Sequence, residues 1–298
     1  MEKSLSFREF IITRLIQASG YSAILFVALI FFFLLREGLP ALGEVEMSSL
    51  FGVRWYPIEN YFSIVPLITG SLIVTFGAAL IAVPFGIGTA IYISEIAPRW
   101  MREILKPLVE LLGGLPSVVL GFLGILIVSP FLRVFLDLPT GLTAFTGSLL
   151  LGGIAVPTVV SVAEDALDTV PRAYREGAWA LGATKWQTIW RVTLPAARSG
   201  VLTAVMLGVG RAIGETMTVM MVTGNAPVLA VKLGSLFSPV RTMTATIAAE
   251  MGEVANGSTH YHVLFFIGMV LFLISLIVNV IASAVVFRSK KRAERILS

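Results

Sequence analysis

Two ionisable side chains, Arg211 and Glu215, stand four residues apart in a stretch, residues 199–224, that is otherwise free of charge. The planar guanidinium of arginine carries a fork of N–H donors that matches the oxygens of phosphate or carboxylate. A carboxylate beside it repels a fully deprotonated anion but accepts a hydrogen bond from one that keeps a proton, as phosphate does near neutral pH and sulfate does not. On a continuous helix Ala204, Gly208, Arg211, Glu215, Thr218 and Val222 fall within an arc of about 80°, which predicts one small and polar face. Arg211 lies about twelve residues into the stretch, near the middle of a membrane-crossing helix. A charge at that depth costs ~2.5–3.5 kcal/mol on insertion scales. Mutual neutralisation would leave that cost in place, and Arg before Glu is the less favourable order on a helix. A pathway lined by Arg211, Glu215 and Thr218 is the stronger reading.

The element that must hold this pair is a transmembrane helix. Of 298 residues 56% are hydrophobic and only 13% charged, with a mean hydropathy of +0.90, too few polar side chains to cover a water-facing surface. In lipid every backbone polar group must be bonded within its own segment or in a closed barrel, and long unbroken apolar runs select helices. The fold class is therefore an all-α integral membrane protein with six transmembrane helices. Charge-free runs put them at residues 16–35, 60–94, 111–132, 138–163, 199–224 and 263–287. Pro84 is expected to kink the second. The first is too long for the apolar region of a signal peptide.

Sixteen of the 22 Lys and Arg fall in segments 1–15, 95–110, 164–198 and 288–298, against five in the intervening loops. That bias places both termini in the cytoplasm, and splitting the long second run into two helices would reverse it. The +4 net charge is thus a matter of topology, and nucleic acid is not required. Phe7, Phe10, Ile11 and Leu15, with Lys3, Arg8 and Arg14 among them, suggest a short interfacial helix before the first span. Arg288, Lys290, Lys291, Arg292 and Arg295 read as a cytoplasmic stop-transfer cluster. With no cysteine, disulfides and thiolate metal sites are excluded. His260 and His262 read as solvated loop residues, and Glu250 and Glu253 as a solvated outer face.

Residues 164–198 do not read as a connector. Tyr174, Trp179, Leu181, Trp186 and Trp190 predict a structured cytoplasmic element of two short helices meeting at Gly182 and ending near Pro195, with aromatic anchors that need a partner. Glu176-Gly177-Ala178-x3-Gly182, then nine residues, then Val192-x-Leu194-Pro195 resembles the EAA loop of ABC-importer permeases, with Gly177 for the usual Ala and Val192 for Ile. Gly210-Arg211-Ala212-Ile213-Gly214-Glu215-Thr216-Met217, followed by Gly224-Asn225-Ala226-Pro227, resembles the fifth span of phosphate-specific ABC permeases. Gly113-Gly114-Leu115-Pro116-Ser117-Val118-Val119 with Gly121 resembles their third-span signature, and Glu164-Asp165-Ala166-Leu167 with Val170-Pro171 resembles the lead into their coupling loop. The wording is closer to the C-type of the two permeases that pair in that system.

The resemblance implies a type I importer permease fold over residues 61–287, with 1–60 as an N-terminal segment and 288–298 as a basic tail. It further implies that Glu176, Gly177, Ala178, Gly182, Val192, Leu194 and Pro195 couple to an ATPase dimer. The other partners would be a homologous A-type permease, an extracytoplasmic phosphate-binding protein and the lipid bilayer of a prokaryotic cytoplasmic (inner) membrane. ATP and magnesium would belong to the ATPase, with no cofactor in this chain. In agreement, the sequence has no Gly-Lys dipeptide and hence no phosphate-binding loop of the G-x4-G-K-[ST] kind. It also has no H-E-x-x-H motif, so the chain reads as a transport subunit and not an enzyme. Gly210-x3-Gly214 reads as small-residue helix packing. Two other readings stay open: a permease for molybdate, tungstate or sulfate, and an ion-coupled carrier or channel in which Arg211 and Glu215 gate.

Overall fold

The computed structural model describes residues 7–297, apart from the side chains of residues 7, 8, 233 and 288–297. Five helices are long and apolar enough to cross a bilayer: Glu9–Glu44, Val65–Ile96, Ser117–Phe135, Ala144–Asp168 and Thr259–Phe287. A bent pair, Lys185–Ala196 and Arg198–Gly214 at 75°, supplies the sixth crossing. The protein is therefore the expected six-span helical membrane protein, with one span broken.

Helix α1 runs unbroken from Phe7 to Gly38. No separate interfacial helix precedes the first span among the described residues, and Lys3 lies outside them. The loop that follows folds into single helical turns and a short hairpin, β1 (Trp55–Tyr56) with β2 (Tyr61–Phe62), in which Trp55 faces Phe62. Helix α2 (Val65–Ile91) carries Pro84 within it and closes in a wider turn, Tyr92–Ile96.

The third span starts later than expected. Residues 111–113 complete a separate helix, α3 (Arg99–Gly113), and the span begins at α4 (Ser117–Leu123), continuing through a wide turn into α5 (Ser129–Phe135). Absence of charge concealed a boundary that Gly113-Gly114 and Pro116 enforce. Two glycines weaken the helix, and proline biases Leu115 away from helical geometry.

Helix α6 (Ala144–Asp168) starts at Thr143, whose hydroxyl caps the Thr146 N–H. It runs beyond residue 163 through Glu164, Asp165 and Asp168, because α3 supplies cations to those acids. The structured loop between α6 and α9 is α7 (Arg172–Ala180) and α8 (Lys185–Thr188), and it leads through a wide turn, Ile189–Thr193, and the 75° bend into α9 (Arg198–Gly214). Short α10 (Met217–Val222) and α11 (Met243–Glu250) precede the last helix, α12 (Thr259–Leu297). The side chains of the C-terminal cluster from Arg288 to Arg295 lie outside those described.

In lipid, helices associate by close packing more than by burial from water. Helices α2 and α6 meet through glycines: a Cβ on Gly86 would stand 2.6 Å from Val159 Cβ, and one on Gly152 2.9 Å from Ile81 Cβ. On α9 the packing glycines are Gly200, against Ala166, and Gly208, against Val159; a Cβ at Gly210 or Gly214 would meet nothing within 4 Å among the described residues, so the expected Gly210-x3-Gly214 packing is not made within this chain. The two histidines are not solvated either. His260 Nε2 meets Glu250 Oε2 at 2.8 Å, and His262 Nδ1 meets the Glu37 carbonyl at 2.8 Å. Glu250 also receives Arg241 at 2.6 Å and the Trp55 indole N–H at 3.1 Å, fastening the hairpin to α11 and α12, whereas Glu253 is exposed.

Candidate functional site

Arg211 sits in the last turn of α9 with its guanidinium exposed. Nη1 donates to Thr158 Oγ1 at 2.9 Å and Nη2 to the Gly113 carbonyl at 3.0 Å. Thr158 follows the internal Pro157 of α6, and Gly113 ends α3. A helix's last carbonyls lack intrahelical partners and carry the negative end of its dipole, so the guanidinium completes the α3 terminus. Among the described residues two of its five N–H donors are engaged.

Glu215 is not on the same helix face. The backbone leaves α9 after Gly214, and Glu215 is extended at φ −71°, ψ 130°. Its Oε1 accepts from the Thr216 and Thr218 N–H groups at 3.2 and 3.4 Å, capping α10. Among the described residues Arg211 and Glu215 form no ion pair. The predicted 80° arc, which assumed an unbroken helix, does not exist, and neither does mutual neutralisation. Glu215 instead borders a crevice with Ser71, Thr75, Thr242 and Thr244. Thr218 is fully buried, and its hydroxyl donates to the Ser117 carbonyl at 2.9 Å, so it faces α4 and not an open pathway.

In the loop of residues 164–198, the chain reverses at Gly182 with φ +80°, a left-handed conformation that favours glycine. Thr184 and Gln187 form a capping box at the start of α8. Glu176, Gly177 and Pro195 are exposed, Ala178 is buried, and Val192 and Leu194 are half-buried. Leu181, at 91% exposure, projects from the tip. This is an apolar knob beside a crevice of ≈ 410 Å³ lined by Tyr174, Ala178, Gln187 and Val192.

Ionic contacts invisible to sequence reasoning hold this loop to the spans. Arg175 binds Glu95 at 2.6 Å and donates to the Val170 and Leu167 carbonyls at 2.7 and 2.9 Å. Glu164, 1% exposed, meets Arg102 at 3.0 Å and Lys106 at 2.7 Å. Hydrogen bonding to Glu164 holds the Lys106 ammonium above the ordinary lysine range, so it remains charged. The pairing residues are 62 positions apart in Arg102–Glu164 and 80 in Arg175–Glu95; only the runs of acids at 164–168 and of bases at 99–106 signalled that partners were needed.

Residues 82–292 match the model of the binding-protein-dependent transport system inner membrane component. The chain belongs to that family. It is thus a multi-pass component of an inner-membrane, binding-protein-dependent transport system. A "Probable ABC transporter permease protein YqgH" of Bacillus subtilis is 41% identical over 78% of this chain and 75% of its own length. A "Phosphate transport system permease protein PstC" of Pasteurella multocida is 34% identical over 91% of each chain, and one of Xylella fastidiosa is 34% identical over 87% of this chain and 84% of its own. Among solved structures, a bacterial ABC transporter involved in import of the acidic polysaccharide alginate superposes with a TM-score of 0.57 at 18% identity, over 92% of this chain and 99% of that one. The MetNI methionine ABC transporter superposes with a TM-score of 0.56 at 19% identity, over 76% and 94%. At that identity the likeness is one of fold, that of an ABC-importer permease.

Proposed function

We propose that this family member imports inorganic phosphate. It would act as the C-type permease beside a homologous A-type permease, with an ATPase dimer carrying ATP and magnesium and an extracytoplasmic phosphate-binding protein. Both termini would lie in the cytoplasm, and residues 61–287 would form the transporting unit. Supporting the reading is Arg211, a mid-membrane guanidinium with three donors uncommitted among the described residues, in a chain whose relatives include phosphate transport system permeases. Glu176, Gly177, Ala178, Gly182, Val192, Leu194 and Pro195 would receive the ATPase movement around the Leu181 knob, and the bend into α9 would carry it to Arg211. Glu215 supplies an acceptor for the proton that phosphate retains.

Reconstitution of the complete transporter in proteoliposomes tests this. Arg211→Ala or Arg211→Gln is expected to abolish phosphate uptake with assembly intact; uptake at the normal rate would remove the assignment. In the same assay Glu215→Gln keeps one carbonyl oxygen to cap α10 but replaces the second acceptor with a donor, so preference for phosphate over sulfate should fall. A panel of molybdate, tungstate and sulfate distinguishes another oxyanion, and uptake without ATP would signal an ion-coupled carrier.

A further inference from the structure

Helix α3 touches Arg211 at one end and the anchoring acids of α6 at the other. It spans 15 residues, about 22 Å, and none of its residues is buried. Leu105 and Val109 pack partly against the cytoplasmic core, while Trp100, Ile104, Leu108 and Leu112 are exposed. So little packing would hold a helix loosely.

Its inner half is held by charge. Arg102 and Lys106 each take one oxygen of the buried Glu164 carboxylate. Arg102 also binds Asp168, and Lys106 reaches Asp165 at 3.4 Å. Asp168 in turn accepts from Ser94 Oγ at 2.7 Å, beside the Glu95 that holds Arg175 of α7. Arg175 donates to the Leu167 carbonyl as well. At the outer end, the Gly113 carbonyl accepts from Arg211. Polar contacts therefore link the coupling loop, through the inner ends of α2 and α6, to the first half of α3, and the helix itself joins them to the Gly113 carbonyl that holds the Arg211 guanidinium.

We propose that α3 is a strut that transmits movement of the coupling loop to Arg211, with Glu164 as the positioning residue that locks it to α6. The proposal rests on the assignment of Arg211 to the pathway. Burying the Glu164 carboxylate carries a desolvation cost that its half-exposed partners Arg102 and Lys106 offset only in part, and a group retained at that cost fits a role in holding two elements in register. Loss of the lock leaves the loop free to move without carrying the carbonyl that orients Arg211. ATP hydrolysis then proceeds without transport.

The chain has no cysteine, so in the complete transporter, reconstituted with cysteine-free partner subunits, pairs of spin labels can be placed at Leu112→Cys on α3 or at the exposed Ala173→Cys on the loop, each with Tyr21→Cys on α1. In the otherwise native protein, ATP with vanadate is expected to shift both distances. In Glu164→Gln, and in Arg102→Gln combined with Lys106→Gln, the loop label still shifts and the α3 label does not, and phosphate moved per ATP falls about tenfold. Glu164→Asp restores part of that ratio. A stationary α3 label in the native protein overturns the proposal. So does an α3 shift that survives either variant, or a loss of uptake in strict proportion to loss of hydrolysis. The label distances need no assumption about the cargo, so they still decide the strut when the Arg211 assay overturns the phosphate assignment; only the ratio of phosphate to ATP depends on that assignment.

Discussion

Thr218 illustrates how far one side chain's role depends on its backbone. On an ideal helix it shares a face with Arg211; in the folded chain its hydroxyl is buried against the Ser117 carbonyl. Thr218→Val removes that part-buried hydrogen bond, at a cost of ~0.5–1.5 kcal/mol. Thermal unfolding in detergent should move down by several degrees, with anion preference unchanged. A shift in preference at constant stability would return Thr218 to the pathway. Arg211 was legible because a charge in an apolar run is conspicuous. Its partners were not: a backbone carbonyl has no letter of its own, and Thr158 resembles every other threonine in the spans. Glu164 looked like the first residue outside the membrane, because the cations that permit its burial are remote in sequence.

At the level of elements, the loop's spacing announced two helices meeting at Gly182, and they are there. Gly182→Ala tests the turn alone, since an added Cβ would meet nothing within 4 Å and only the φ of +80° resists it. The expected cost is ~1–2 kcal/mol from the left-handed backbone. Gly177→Ala, equally open but within α7, should stabilise by ~0.5–1 kcal/mol. Comparing the two variants' unfolding midpoints checks both signs. Helix ends were the least legible feature. Gly113-Gly114 with Pro116 closed one helix within a charge-free run. Ile213-Gly214-Glu215-Thr216, with no proline, gave no comparable sign that α9 stops.

For the whole molecule, charge bias and apolar length together conveyed the six spans, because the bilayer imposes both on any helical chain. The direction of insertion is open to test on the cysteine-free background. Leu181→Cys, 91% exposed, should react with a membrane-impermeant maleimide only from the cytoplasmic side, and Ile58→Cys, 85% exposed, only from outside. The opposite pattern would overturn the orientation.

The interruption at Glu215 has a mechanical corollary for the assembled importer. Helix α9 ends at Gly214 and α10 resumes at Met217, so the crossing is not one rod: a tilt imposed from the cytoplasmic side need not rotate the outer segment. Thr218 ties that outer segment to α4, and the Glu215 carbonyl accepts from Thr244 of α11 at 3.2 Å. A tilt of α9 can thus be absorbed at Glu215 and Thr216 while α10 stays held against α4 and α11.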